Sequence, residues 1–119
     1  MWQARCQRVI DGDTIELYID KGFHDFAVQR IRLAGINCPE AHAPTREAGD
    51  KATAFTNAWI QAATTAAAGT DWPLVITTYK TDSFDRYVAF VVATAGGVSL
   101  NDALLESDNA VPFMVDKVT

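Results

Sequence analysis

Cysteine is scarce in this chain. The two that occur, Cys6 and Cys38, make no disulfide framework and lack the paired spacing of a zinc site. Both are expected as free thiols, Cys6 packed in a strand and Cys38 in a turn. Long apolar runs are also missing. Segment 59–69, inside a longer uncharged stretch, is dominated by alanine and threonine, and a spanning helix needs about 20 mostly apolar residues. No membrane association is expected. The N-terminal run Met1-Trp2-Gln3-Ala4-Arg5-Cys6-Gln7-Arg8 has no apolar core of signal-peptide type. The expected location is the cytoplasm, with secretion by another route left open. Positive charge is in deficit, at a net −5, which argues against tight, non-specific binding of long duplexes. A basic groove with interleaved aromatics, the mark of a plain single-strand-binding barrel, is not visible along the chain. No internal repeat or low-complexity linker breaks the sequence.

What is present is ordinary globular material. Hydrophobic residues make up 49% and charged residues 21%, so a packed core without staples is within reach of one domain spanning 1–119. Residues 3–10 read as a strand, and Asp11-Gly12-Asp13 as a hairpin turn. In 14–19, Ile15, Leu17 and Ile19 alternate with Thr14, Glu16 and Tyr18, the pattern of a half-buried strand. Residues 23–33 continue as a third extended run. A helix is predicted over 46–67, its apolar face formed by Ala48, Ala52, Phe55, Trp59, Ala62 or Ala63, and Ala66, with Gly69 as its stop. Two returning strands follow at 74–79 and 86–93. Ser99 and Asp102 then form a variant capping box for a short helix ending near Glu106. Three strands, a helix, two strands and a helix suit a mainly β, α+β fold: a five-stranded Greek-key barrel of the OB type.

Three segments could carry chemistry. Asp11-Gly12-Asp13 is a common turn when taken alone, but a carboxylate at a strand end also suits a hard cation. Arg32 and Glu40 flank a strand end and a loop. Arg86 opens a strand after the turn Thr81-Asp82-Ser83-Phe84-Asp85. Each charge by itself reads as a solvated surface residue. Together they match what phosphodiester cleavage requires. Arginine forks fit the phosphoryl oxygens. A carboxylate can take a proton from water. A divalent cation held partly by Asp13 can polarise the phosphate or a bound water. His24 and His42 are expected as solvated loop residues, and Phe55 and Trp59 as core. Trp2 and Trp72 could stack on bases, although packing at the barrel ends is the preferred reading.

At these positions the chain resembles the staphylococcal nuclease (thermonuclease) family. Three blocks carry the likeness in order: Val9-Ile10-Asp11-Gly12-Asp13-Thr14, Arg32-Leu33-Ala34-Gly35-Ile36-Asn37-Cys38-Pro39-Glu40, and Asp82-Ser83-Phe84-Asp85-Arg86 with an apolar strand behind it. Leu100-Asn101-Asp102-Ala103-Leu104 matches the family's next helix. The likeness runs from about Arg5 to Ala110. It implies an OB-type barrel packed with helices, and a hydrolase that cuts DNA and RNA with Ca²⁺ and water and leaves a 3′-phosphate. By position, Arg32 and Arg86 stand as phosphate-binding arginines and Glu40 as the general base. Asp13 stands as a metal ligand, joined by the backbone carbonyl of Cys38. Phe84 falls where the family often places a tyrosine near the nucleotide.

Three departures qualify what the resemblance implies. Asn37 stands where the family has a second metal carboxylate; it keeps an oxygen ligand but loses a charge, so weaker metal binding is expected. Asp85 replaces the usual glycine before Arg86 and adds a charge beside it. The chain also lacks the family's long last helix, whose loss a second copy of the chain could make up. A monomer or a homodimer is therefore expected. The competing class is a catalytically weak or inactive module that binds nucleic acid or protein.

Overall fold

The computed structural model describes residues 1–40, 45–81 and 87–113. Within them lie β1 (Trp2–Asp11), β2 (Thr14–Asp20), β3 (Phe26–Leu33), β4 (Ile36–Asn37), α1 (Arg46–Ala66), β5 (Leu74–Thr81), β6 (Tyr87–Ala93), α2 (Leu100–Glu106) and β7 (Val111–Pro112). Strands β1, β2, β3, β6 and β5 close in that order into a barrel. Neighbours are antiparallel except β3 and β6, which run parallel. This is the mainly β, OB-type arrangement that the order of elements predicts.

The barrel follows from alternation. Ile15, Leu17 and Ile19 on β2 and Ile31 and Leu33 on β3 are buried inside it. They meet Ala4, Leu74, Ile76, Ala89 and Val91 from the other strands and Leu100 and Leu104 from α2 in one core. Their sequence neighbours Glu16, Tyr18 and Asp20, and Phe26, Val28 and Arg30, point outward, because successive side chains of a strand take opposite faces. The register of β1 on β2 shifts between Cys6 and Arg8 and again between Val9 and Asp11. Such bulges bend and twist a strand, and β1 pairs with both β2 and β5.

Three elements differ from the sequence reading. β3 begins at Phe26 rather than at residue 23, because 21–25 fold into a tight turn: Asp25 N donates to Gly22 O at 2.9 Å. Phe23 and His24 take the left-handed region, with φ of 57° and 58°, and the Phe23 ring is fully exposed. The buried face of α1 is Gly49, Ala52, Thr56, Ile60 and Ala63. Ala48, Ala62 and Ala66 are exposed, and Phe55 and Trp59 pack only at the margin of the core. Small residues occupy the contact line because the helix lies close against the barrel. The third difference is a two-stranded sheet of β4 and β7, too short to leave a period in the sequence; Phe113 N donates to Gly35 O at 2.9 Å beside it. Gly69 (φ 97°) follows α1, as expected for a stop. Ser99 caps α2, its Oγ accepting from Asp102 N at 3.0 Å. Beyond α2, β7 is the one regular element among the described residues, and 114–119 lie outside them.

Candidate functional site

Gly12 and Asp13 link β1 to β2, and α1 packs directly on this link. A Cβ added to Gly12 would stand 2.8 Å from Ala52 Cβ and 3.0 Å from Cys38 Sγ. Thr56 Oγ1 donates to Gly12 O at 2.7 Å, fully buried. Gly12 is thus required for close approach and not for a left-handed turn, since its φ is not positive. The helix and Cys38 clamp the backbone from which Asp13 projects.

Asp13 is 9% exposed. Its Oδ1 accepts from Thr14 Oγ1 at 3.2 Å and its Oδ2 from Cys38 N at 3.0 Å. Its backbone O accepts from Leu33 N at 2.9 Å, which ties the link to the end of β3. Arg32 lies across β3 from Thr14, and its Nη2 sits 3.6 Å from Asp13 Oδ2. The same Nη2 donates to Ile36 O at 3.1 Å and to Asn37 Oδ1 at 3.0 Å. The Phe113 ring lies beneath the guanidinium, 5.3 Å from Cζ to the ring centroid. Arg32 Nε is buried without a hydrogen-bond partner. Four of the residues singled out in the sequence, Asp13, Arg32, Asn37 and Cys38, therefore meet in one cluster.

Glu40 follows on the same loop and is exposed; its backbone O accepts from Thr45 Oγ1 at 2.7 Å. Arg86 and Phe84 lie outside the described residues, as does Asp85. The strand that Arg86 precedes begins at Tyr87, which pairs with Ile31, the neighbour of Arg32. His24 sits exposed in the turn between β2 and β3, at the end of the hairpin away from Asp13, and His42 lies outside the described residues. Trp2 is 40% exposed. Trp72 stacks on Tyr18 and Phe26, whose side chains point outward from the barrel wall.

Asp11 is the residue that sequence reasoning left without a role. Its Oδ1 is buried and has no hydrogen-bond partner. Burial raises its pKa above the ordinary carboxylate range, and the neighbouring Asp13 charge raises it further. The signal was present in Asp11-Gly12-Asp13, but a turn motif does not show that both acids crowd one side of a clamped link. The Cys38 thiol, by contrast, is pushed up to about 12, chiefly by burial and then by the charges of Asp13 and Asp11. It stays protonated at neutral pH, which removes it as a thiolate nucleophile or soft-metal ligand.

The side-chain donors gathered here are therefore oxygens: the carboxylates of Asp11 and Asp13 and the Asn37 amide. Oxygen donors suit a hard cation such as Ca²⁺. The unsatisfied oxygen of Asp11 and its repulsion from Asp13 are both relieved by a bound cation, so the residues present fit one. Among the described residues no group of three His, Cys, Asp or Glu is placed to hold a metal ion, so any cation would rest on fewer side-chain carboxylates together with neutral oxygens. Comparison with protein-family models and with curated protein sequences finds no match.

Proposed function

We propose that the protein is a Ca²⁺-dependent nuclease of the staphylococcal nuclease type, hydrolysing phosphodiester bonds of DNA or RNA by attack of water on phosphorus. The observation that carries this reading is the cluster of Asp13 and Arg32 with Asn37 and Cys38, which joins a carboxylate to a guanidinium at the mouth of the barrel. Arg32 offers planar donors to the phosphoryl oxygens, where negative charge grows during the reaction. Asp11, Asp13, Asn37 Oδ1 and the Cys38 carbonyl would hold the cation, which supplies Lewis-acid polarisation. Other divalent cations with a preference for oxygen would be accepted to differing degrees. Glu40, exposed on the adjoining loop, takes the proton from water. Arg86 provides the second guanidinium and Phe84 a ring near the nucleotide.

The test incubates single-stranded DNA and RNA with the protein in Ca²⁺ and in EDTA, beside Glu40→Gln. The expected outcome is metal-dependent cleavage that falls by about 100-fold or more in the variant, the usual weight of a general base. A second reading is favoured by one specific observation. Asn37 has no charge, and both it and Asp13 are already engaged by Arg32. Under that reading the domain binds nucleic acid without cutting it. Intact binding with no cleavage in any divalent cation would decide for it.

A further inference from the structure

The outward face of β1, β2 and β3 carries a feature unused by the cluster around Asp13. Arg8 pairs across with Glu16, and Glu16 with Arg30; in the next row along, Arg5 pairs with Tyr18. Arg32 stands on the same face of β3, two residues from Arg30. Arg5, Arg8, Arg30 and Arg32 thus line one wall of an acidic protein. Glu16 and Asp20 lie among them. Glu16 is shared between Arg8 at 3.6 Å and Arg30 at 3.9 Å, and Asp20 accepts from Gly22 N. The Arg5 guanidinium lies on rings, 4.5 Å from the centroid of Tyr18 and 5.3 Å from that of Trp72.

The aromatic half of this face is equally ordered. Tyr18, Phe26 and Trp72 have centroids 5.4–6.1 Å apart and planes within 13° of one another. Phe26 remains 40% exposed. A hydrophobic cluster built only to close the barrel would bury its rings; this one keeps Phe26 and the planar Arg5 group at the surface. Tyr18 is four residues along β2 from Thr14, about 13 Å from the Asp13 end.

We propose that this face is a stacking platform for a single-stranded oligonucleotide, its bases on Phe26, Trp72 and Arg5 and its phosphates tracking Arg8 and Arg30 towards Arg32. The inference adds to the nuclease reading a binding surface apart from the cluster around Asp13, and in that sense rests on it. Two features favour a single strand over a duplex or a protein. Ring and guanidinium faces stack on unpaired bases, and Arg8 and Arg30, which flank Glu16 in one row, lie between the rings and Arg32.

The test measures fluorescence anisotropy with a labelled oligothymidylate of about 12 nucleotides, an oligouridylate and a duplex of equal length, in EDTA so that nothing is cut. The wild type is expected to prefer either single strand to the duplex. Phe26→Ala should weaken binding by about 5- to 30-fold, the effect of losing one base stack. Arg5→Gln should weaken binding by loss of a stacking plane, and Arg8→Gln, at a phosphate contact, should lower the slope of affinity against salt by about one. Melting curves identify any variant that fails to fold. For that case, quenching of tryptophan fluorescence by the oligonucleotide, reduced in Trp72→Phe, reports the same contact without removing a ring. Equal affinities of folded Phe26→Ala, Arg5→Gln and wild type would overturn the platform, as would preference for the duplex. Metal-dependent cleavage alongside those results would leave the nuclease reading standing. Binding through the platform without cleavage in any metal would do the reverse.

Discussion

Asn37 concentrates the chemistry of the site in one atom pair. Its Oδ1 accepts from Arg32 at 3.0 Å, so the oxygen proposed as a cation ligand is already engaged by the arginine. A carboxylate in place of the amide would bring a full charge to that point. Asn37→Asp is expected to tighten Ca²⁺ binding by about tenfold, the scale of one charge-assisted contact. Calorimetry showing equal affinity would remove Asn37 from the metal set. Asp11 acts in the opposite sense. Its pKa is raised in the fold by burial and by Asp13, so the fold favours its protonated form, and ionised Asp11 costs stability. That cost is present at neutral pH, shrinks as the pH falls through the raised pKa, and is gone below the unfolded value of about 3.9. Asp11→Asn should therefore melt higher than the wild type in EDTA at pH 7, and the gap should close in acid. The same substitution should reduce the gain in melting temperature that Ca²⁺ confers. Identical melting of the two proteins at pH 7 would show that the Asp11 charge is not strained.

At the scale of elements, α1 shapes the site although its one polar contact there is the Thr56 hydroxyl on Gly12 O. Its small face lets Ala52 and Thr56 reach the link between β1 and β2. The Phe55 and Trp59 rings stay at the margin because neither would fit where an added Cβ on Gly12 already meets Ala52 at 2.8 Å. Thr56→Val keeps the shape but strands the buried Gly12 carbonyl. It is expected to cost about 1–3 kcal/mol, read from urea denaturation, and to loosen Ca²⁺ binding through Asp13. A variant with unchanged stability would mean that the Thr56 bond contributes nothing net.

For the whole molecule, the tie between helix and barrel runs through Asn101, 1% exposed. Its Oδ1 accepts from Val91 N at 3.0 Å, and its Nδ2 donates to Ala34 O at 2.8 Å and Ala89 O at 3.2 Å. One side chain thereby joins α2, β6 and the segment after β3, just beyond Arg32. Asn101→Ala would take this partner from Val91 N and Ala34 O, while Ala89 O keeps its bond from Ala34 N, and would leave a small void. A loss of about 3–5 kcal/mol is expected, measured as a fall in the denaturation midpoint. A loss under about 1 kcal/mol, the scale of an ordinary surface change, would show that the tie is dispensable. No helix among the described residues is long and apolar enough to cross a membrane.

Much of this was legible from residues alone. The alternation of Ile15, Leu17 and Ile19, the glycine after α1 and the Ser99 cap each act over a few residues. Local sterics and burial therefore determine them, and they carried the order of elements and the barrel. Asp13 and Arg32 could be nominated because their residue types suit the chemistry, and Asn37 and Cys38 only because the resemblance puts them beside the expected metal. Their meeting required the pairing of β2 with β3 and the turn into β4. Tertiary structure alone decided three things. It made Gly12 a contact residue, because only packing brings α1 within reach. It left one oxygen of Asp11 without a partner, because burial depends on the whole barrel. It also gathered the basic and aromatic face that no stretch of the chain displays. Arg5 and Arg8 sit three positions apart and would fall on opposite faces of a regular strand. The register shift between Cys6 and Arg8 puts them on one side, and pairing with β2 and β3 brings Tyr18, Arg30 and Phe26 to the same wall.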